Sequence, residues 1–157
     1  MFLLLEKTDR GMKVLKEDGS YEEYDVFPEV WLKEQCLQHG STMEGRMDAF
    51  REITGARKIP GVLISEMSGE LYFPTAAYKH TGCVWINGQE LYRYQKKEDL
   101  STELTFKSHG VKAVIDYDVR TVRMQARRCA EFMKVIHPSS LTEREEEMRQ
   151  RLRDKLL

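Results

Sequence analysis

The sequence lacks a long apolar run. After Met1 the longest stretch is Phe2–Leu5, far below the roughly 20 residues that span a bilayer. It also has no basic leader followed by a small-residue cleavage site. A cytoplasmic protein with no membrane association is therefore expected, and Phe2–Glu6 is read as a first β-strand. Cysteine is scarce: Cys36, Cys83 and Cys129 are odd in number, widely spaced and form no C-x-x-C pair. That count excludes a disulfide framework, and none of the four histidines (His39, His80, His109, His137) stands at metal-ligand spacing from another, so no metal or other cofactor is expected. Free buried thiols in a reducing compartment are the expectation. Internal repeats and low-complexity linkers are absent, as are the G-x-S-x-G, P-loop, H-E-x-x-H and dinucleotide motifs. Charge of one sign is missing too, since the net charge is −1.

What is present suits one globular domain. The 157 residues are 41% hydrophobic and 32% charged, enough for a single core and against a fibrous protein. Charge is unevenly spread. Residues 1–40 hold five basic and nine acidic side chains, 41–97 hold eight and six, 98–140 hold seven and six, and 141–157 hold five of each. The front is acidic and the middle mildly basic, which permits a local basic patch.

Short apolar runs alternate with turn signals from the start. Met12–Lys16 and Tyr21–Phe27 read as further strands, separated by Asp18–Gly19. Pro28 suits the first position of a helix that Gly40 closes. Met43, Met47 and Phe50 recur at helical spacing, predicting a second helix over 43–53 that ends at Gly55. Residues 56–61 form a loop around Pro60 and Gly61. Three hairpins are then expected in a row: Val62–Ser65 with Leu71–Phe73, Cys83–Ile86 with Glu90–Gln95 across Asn87–Gly88, and Thr102–Phe106 with Lys112–Asp116. Each would have one buried face and one wet face. Asp118 can cap a helix to about Ile136, striped by Val122, Ala126, Cys129, Met133 and Ile136. Beyond His137-Pro138, Thr142-Glu143-Arg144-Glu145 reads as a capping box for a last amphipathic helix. The expected class is α+β: an antiparallel β-hairpin meander, a partly closed sheet, packed with short helices and two C-terminal helices. Residues 1–137 would be one domain of DNA-binding type, and 138–157 a charged amphipathic helix.

Little in this pattern suggests catalysis. Cys83 with His80 or His109, oriented by Asp116, is the nucleophile arrangement to consider, but a cysteine in a strand pattern is usually inert. The acidic residues Glu143, Glu145, Glu146 and Glu147 are interleaved with arginine, as on a solvated helix face. No enzyme is expected. The basic positions are more suggestive. Arg120, Arg123, Arg127 and Lys134 share a helix face that could track phosphates, or could simply be solvated. Arg57-Lys58 could enter a groove, and Lys79 lies in a similar loop.

Five ordered blocks sharpen this. Gly40-Ser41-Thr42-Met43-Glu44-Gly45-Arg46 is followed by Ile53-Thr54-Gly55, Lys58-Ile59-Pro60, Phe73-Pro74-Thr75 and Cys83-Val84-Trp85-Ile86, then by Leu104-Thr105-Phe106 and Gly110. In order and spacing the chain resembles the competence transcription factor (ComK) family, as a divergent or short member with Met43 where the family has an aromatic. The resemblance implies a transcriptional activator that binds A/T-rich promoter DNA mainly through the minor groove and works as a homodimer or higher homo-oligomer. It marks Arg46 and Lys58 as motif positions. With the residues read directly, the candidate DNA-binding set is Arg46, Arg57, Lys58, Lys79, Arg120, Arg123 and Arg127. A few cations suffice for a narrow A/T groove. The alternative is a protein-interaction module of the same fold that has lost DNA binding and docks a regulatory partner through its acidic front or last helix.

Overall fold

The computed structural model describes residues 1–136 and 148–155. Its nine strands and three main helices form the expected α+β arrangement of antiparallel strands, with no closed barrel. The strands are β1 (Phe2–Lys7), β2 (Met12–Lys16), β3 (Tyr21–Tyr24), β4 (Val62–Leu63), β5 (Leu71–Pro74), β6 (Val84–Asn87), β7 (Leu91–Lys96), β8 (Thr102–Phe106) and β9 (Lys112–Ile115). The helices are α1 (Pro28–Gln38), α2 (Met43–Thr54) and α3 (Val119–Ile136), and residues 148–155 are also helical. The Thr142–Glu145 capping box and the acidic residues within it lie outside the described residues.

Local chemistry accounts for most boundaries. Pro28 opens α1 without losing a hydrogen bond. Thr42 caps α2 by accepting from the Gly45 N–H at 3.0 Å. Gly55 ends α2 at φ 76°, in the left-handed region where a side chain is strained. Asp118 precedes α3, and its Oδ1 accepts the Arg120 N–H at 2.8 Å.

The strands divide into two sheets, where the pattern suggested one meander. A six-stranded sheet has the order β3-β2-β1-β6-β5-β4, and a three-stranded sheet the order β7-β8-β9. The expected hairpin at Asn87–Gly88 does not form, because β6 and β7 belong to different sheets. Asn87 is buried, donates from Nδ2 to the Phe2 carbonyl (2.9 Å) and accepts the Gln89 and Glu90 N–H groups (3.0 and 3.2 Å). Its side chain thus completes the turn while fastening it to β1. The chain leaves the first sheet there instead of folding back. β6 pairs with β1 on its other side, Leu5 opposite Trp85.

Nor do β4 to β6 keep a wet face. They are buried throughout. Leu63, Leu71, Phe73, Val84 and Ile86 turn toward a core shared with Leu104, Phe106, Val122 and Phe132. Val62, Ile64, Tyr72 and Trp85 turn to the other side, toward Leu32 and Cys36 of α1 and Met43 and Met47 of α2. The six-stranded sheet is therefore a middle layer, with the small sheet and α3 on one face and α1 on the other. A two-faced strand needs apolar residues at every position. The small sheet does alternate, with β8 buried at Thr102, Leu104 and Phe106. α2 serves both cores, sending Phe50 to the first, where its ring lies 5.1 Å from that of Phe132.

Candidate nucleic-acid interface

α3 is the most basic element. It carries Arg120, Arg123, Arg127, Arg128 and Lys134 against one acid, Glu131. Its buried side is Val119, Val122, Gln125, Cys129 and Phe132. Gln125 is a fully buried amide whose Nε2 donates to the carbonyls of Ile59 (2.7 Å) and Pro74 (2.8 Å). One side chain thus pins two loops to α3: the α2–β4 loop at Ile59, and the β5–β6 loop where it leaves Pro74. Gly61 lets the first loop lie close to α2, since a Cβ there would stand 2.8 Å from the Phe50 ring.

Arg57 and Lys58 precede the pinned carbonyl. Both are exposed, and neither side chain makes an ion pair among the described residues. Arg128 approaches the same point, its guanidinium 3.4 Å from Gln125 Oε1. At roughly 100° per residue, Arg128 stands about 60° from Gln125 around the helix and Arg127 about 160°. Gln125 thus brings the backbone that follows Arg57 and Lys58 to the helix turn that carries Arg128, with Arg127 and Arg123 further round on the outward ridge. Arg123 and Arg127 are exposed and have no ion-pair partner among the described residues. The spacing rule does not single out Arg128. It lies off the ridge of the other cations, and only the fold of the 56–61 loop gives it cationic neighbours.

The remaining candidates are placed differently. Arg46 is 14% exposed and engaged, with Nε donating to Ser41 Oγ (3.1 Å) and Nη1 pairing with Glu66 (2.9 Å). Ser41 Oγ in turn donates to the Cys36 carbonyl at 3.1 Å. The Gly40–Arg46 block therefore ties the α1–α2 turn to the β4–β5 turn. Arg120 is exposed but grips Asp118 through two hydrogen bonds of 3.2 and 3.1 Å. That hydrogen bonding holds the Asp118 carboxyl down at about 2. Lys79 is exposed in the β5–β6 loop, beside Tyr78, whose carbonyl accepts from Lys7 at 3.0 Å.

The nucleophile arrangement is not assembled. Cys83 is buried, its thiol donates to the Ala76 carbonyl at 3.4 Å, and burial pushes it up to about 11. A thiol so raised is protonated at neutral pH and a poor nucleophile. His80 and Asp116 line a groove of ≈ 530 Å³ whose walls do not include Cys83. Burial raises the Cys36 and Cys129 thiols as well. Among the described residues there is no group of three or more His, Cys, Asp or Glu fit to hold a metal ion, and no helix long and apolar enough to cross a membrane.

The family model described as "ComK protein" matches residues 4–139, and the chain belongs to the ComK family. That is a family of transcription factors involved in competence, not of enzymes. No curated protein and no solved structure matches the chain.

Proposed function

We propose that this chain is a cytoplasmic transcription regulator that binds A/T-rich double-stranded DNA, mainly through the minor groove, as a homodimer or higher homo-oligomer. The observation that carries the reading is the set of cations on α3 and the loop pinned to it: Arg57, Lys58, Arg123, Arg127 and Arg128. Arg57, Lys58, Arg123 and Arg127 are exposed with no carboxylate partner among the described residues, and so are free to displace counterions from phosphates. A protruding Arg-Lys pair suits the narrow, strongly negative groove of A/T-rich sequence. Lys79 joins the contact set from the neighbouring loop. Arg46 and Arg120, each closed by a carboxylate, act by holding the elements that present the others. A net charge of −1 is compatible with this, because the acids concentrate in residues 1–40.

The test is a fluorescence-anisotropy titration of A/T-rich and G/C-rich duplexes at two salt concentrations. The expected result is tighter binding to the A/T-rich duplex, weakening steeply with salt. No binding at low salt, or equal binding to both duplexes, overturns the proposal. The same domain would then be read as a protein-interaction module.

A further inference from the structure

α1 and α2 form a groove of ≈ 650 Å³. Leu37, Met43 and Met47 line it, and Leu37 is 56% exposed. Flexible methionines between two helices suit the apolar face of an incoming helix. The rim is acidic, with Glu29, Glu44 and Asp48. Of the two rim cations, Arg51 is already bonded to Asp48 (3.1 Å) and to the Arg57 carbonyl (3.1 Å), leaving Lys33. Glu29 Oε1 accepts from Lys7 Nζ at 2.8 Å, while its Oε2 is buried with no hydrogen-bond partner among the described residues. An unsatisfied carboxylate oxygen is costly, which adds to the negative character of this rim.

The chain itself carries the complement. Residues 148–155 are helical with every side chain exposed, Met148 at 64% and Leu152 at 54%. By helical spacing these two lie about 40° apart on one face. Arg151 and Lys155 flank that face on one side, Arg149 and Arg153 on the other. The single acid, Asp154, falls on the far side, where Gln150 donates to it at 2.9 Å.

Among the described residues of one chain the helix 148–155 keeps every side chain exposed and the groove is open. We infer that the helix 148–155 of one copy docks into the α1–α2 groove of a second copy. Met148 and Leu152 would then lie on Leu37, Met43 and Met47, with the flanking arginines against Glu29, Glu44 and Asp48. This identifies the surface through which the proposed oligomer forms. It rests on the oligomeric part of that reading and not on DNA binding.

The test uses sedimentation velocity on the full chain with no DNA present, so that it fails or succeeds apart from DNA recognition. The wild-type chain is expected as a dimer or larger, and Met148→Glu with Leu152→Glu as a monomer. A charge swap decides whether the contact lies between copies. Glu44→Lys with Asp48→Lys reverses exposed rim positions, and Arg149→Glu with Arg153→Glu reverses exposed helix positions. Circular dichroism verifies that each remains folded. Each double variant alone is expected to dissociate at concentrations about tenfold or more above those of wild type, while an equimolar mixture regains wild-type assembly. In the mixture every groove finds a helix of opposite charge. A monomeric wild type, assembly indifferent to the substitutions, or no recovery on mixing overturns the inference.

Discussion

Gln125 Nε2 lies 2.7 Å from the carbonyl oxygen of Ile59, sixty-six residues earlier in the chain. This hydrogen bond makes the Arg57-Lys58 loop and α3 one surface, and a second bond from the same nitrogen brings in Pro74. Gln125→Ala leaves two carbonyls without their donor, one of the two bonds being fully buried. At about 1–3 kcal/mol for an unsatisfied buried group, a loss of about 2–4 kcal/mol is expected. Urea denaturation measures it as a lower midpoint with an unchanged slope. Hydrogen exchange should quicken in residues 56–61 before it does in β5. Unchanged stability would mean that the amide is incidental.

Arg46 is expected to matter for stability more than for DNA contact. Its partner Glu66 is half exposed and screens the pair, so Arg46→Ala should cost only about 1 kcal/mol. Calorimetry would show this as a Tm lower by about 2–4 °C. Glu66→Gln should produce a similar shift. If Arg46→Ala instead lowers the salt slope of DNA binding by about one, the arginine touches phosphate.

The loop and helix cations are expected to behave in the opposite way. Arg57→Ala, Lys58→Ala and Arg127→Ala should each leave Tm within about 1 °C, since exposed side chains away from the core contribute little. Each should weaken binding and reduce the log–log salt slope by about one for every phosphate contact removed. Lys33→Ala, on the face of α1, should leave that slope unchanged. A similar loss for Lys33 would move the DNA surface to the other side of the molecule.

Asp118 supplies a prediction in pH. Hydrogen bonds from Arg120 hold its carboxyl at about 2 in the fold, against about 3.9 in an unfolded chain. A depressed acid contributes its stability at pH values above the unfolded value and loses it as pH falls from about 4 to about 2. NMR titration of the side-chain carboxyl carbon should give a midpoint near 2, moving upward in Arg120→Ala. A midpoint near 4 in the unaltered chain would mean that the pair does not form in solution.

Much of this architecture is legible in residue order because its causes are local. Pro28, Thr42, Gly55 and Asp118 act on neighbours within a turn, and α2 and α3 begin and end close to where those residues predict. The paired hairpins β1–β2, β4–β5 and β8–β9 likewise need only short β-branched, aliphatic or aromatic runs and a turn residue between them. The Asn87–Gly88 turn is different. Its hairpin signal is sound chemistry, but the outcome depends on the Phe2 carbonyl, eighty-five residues away. The buried faces of β4 to β6 escape in the same way, because alternation reports one covered face and is silent about a second.

The candidate interface divides along this line. Residue order alone determined the ComK family, through five blocks in sequence, and the basic character of α3, which is a matter of composition. It offered both Arg46, as a motif position, and Arg57, as a loop cation, as DNA contacts. Tertiary structure alone decided that Glu66 meets Arg46 while Arg57 meets no carboxylate among the described residues, and that Arg128 stands beside the loop at Gln125. The physical reason is range. Capping and periodicity act within a few residues, whereas a cation's availability depends on which carboxylate the fold carries to it from twenty or sixty residues away.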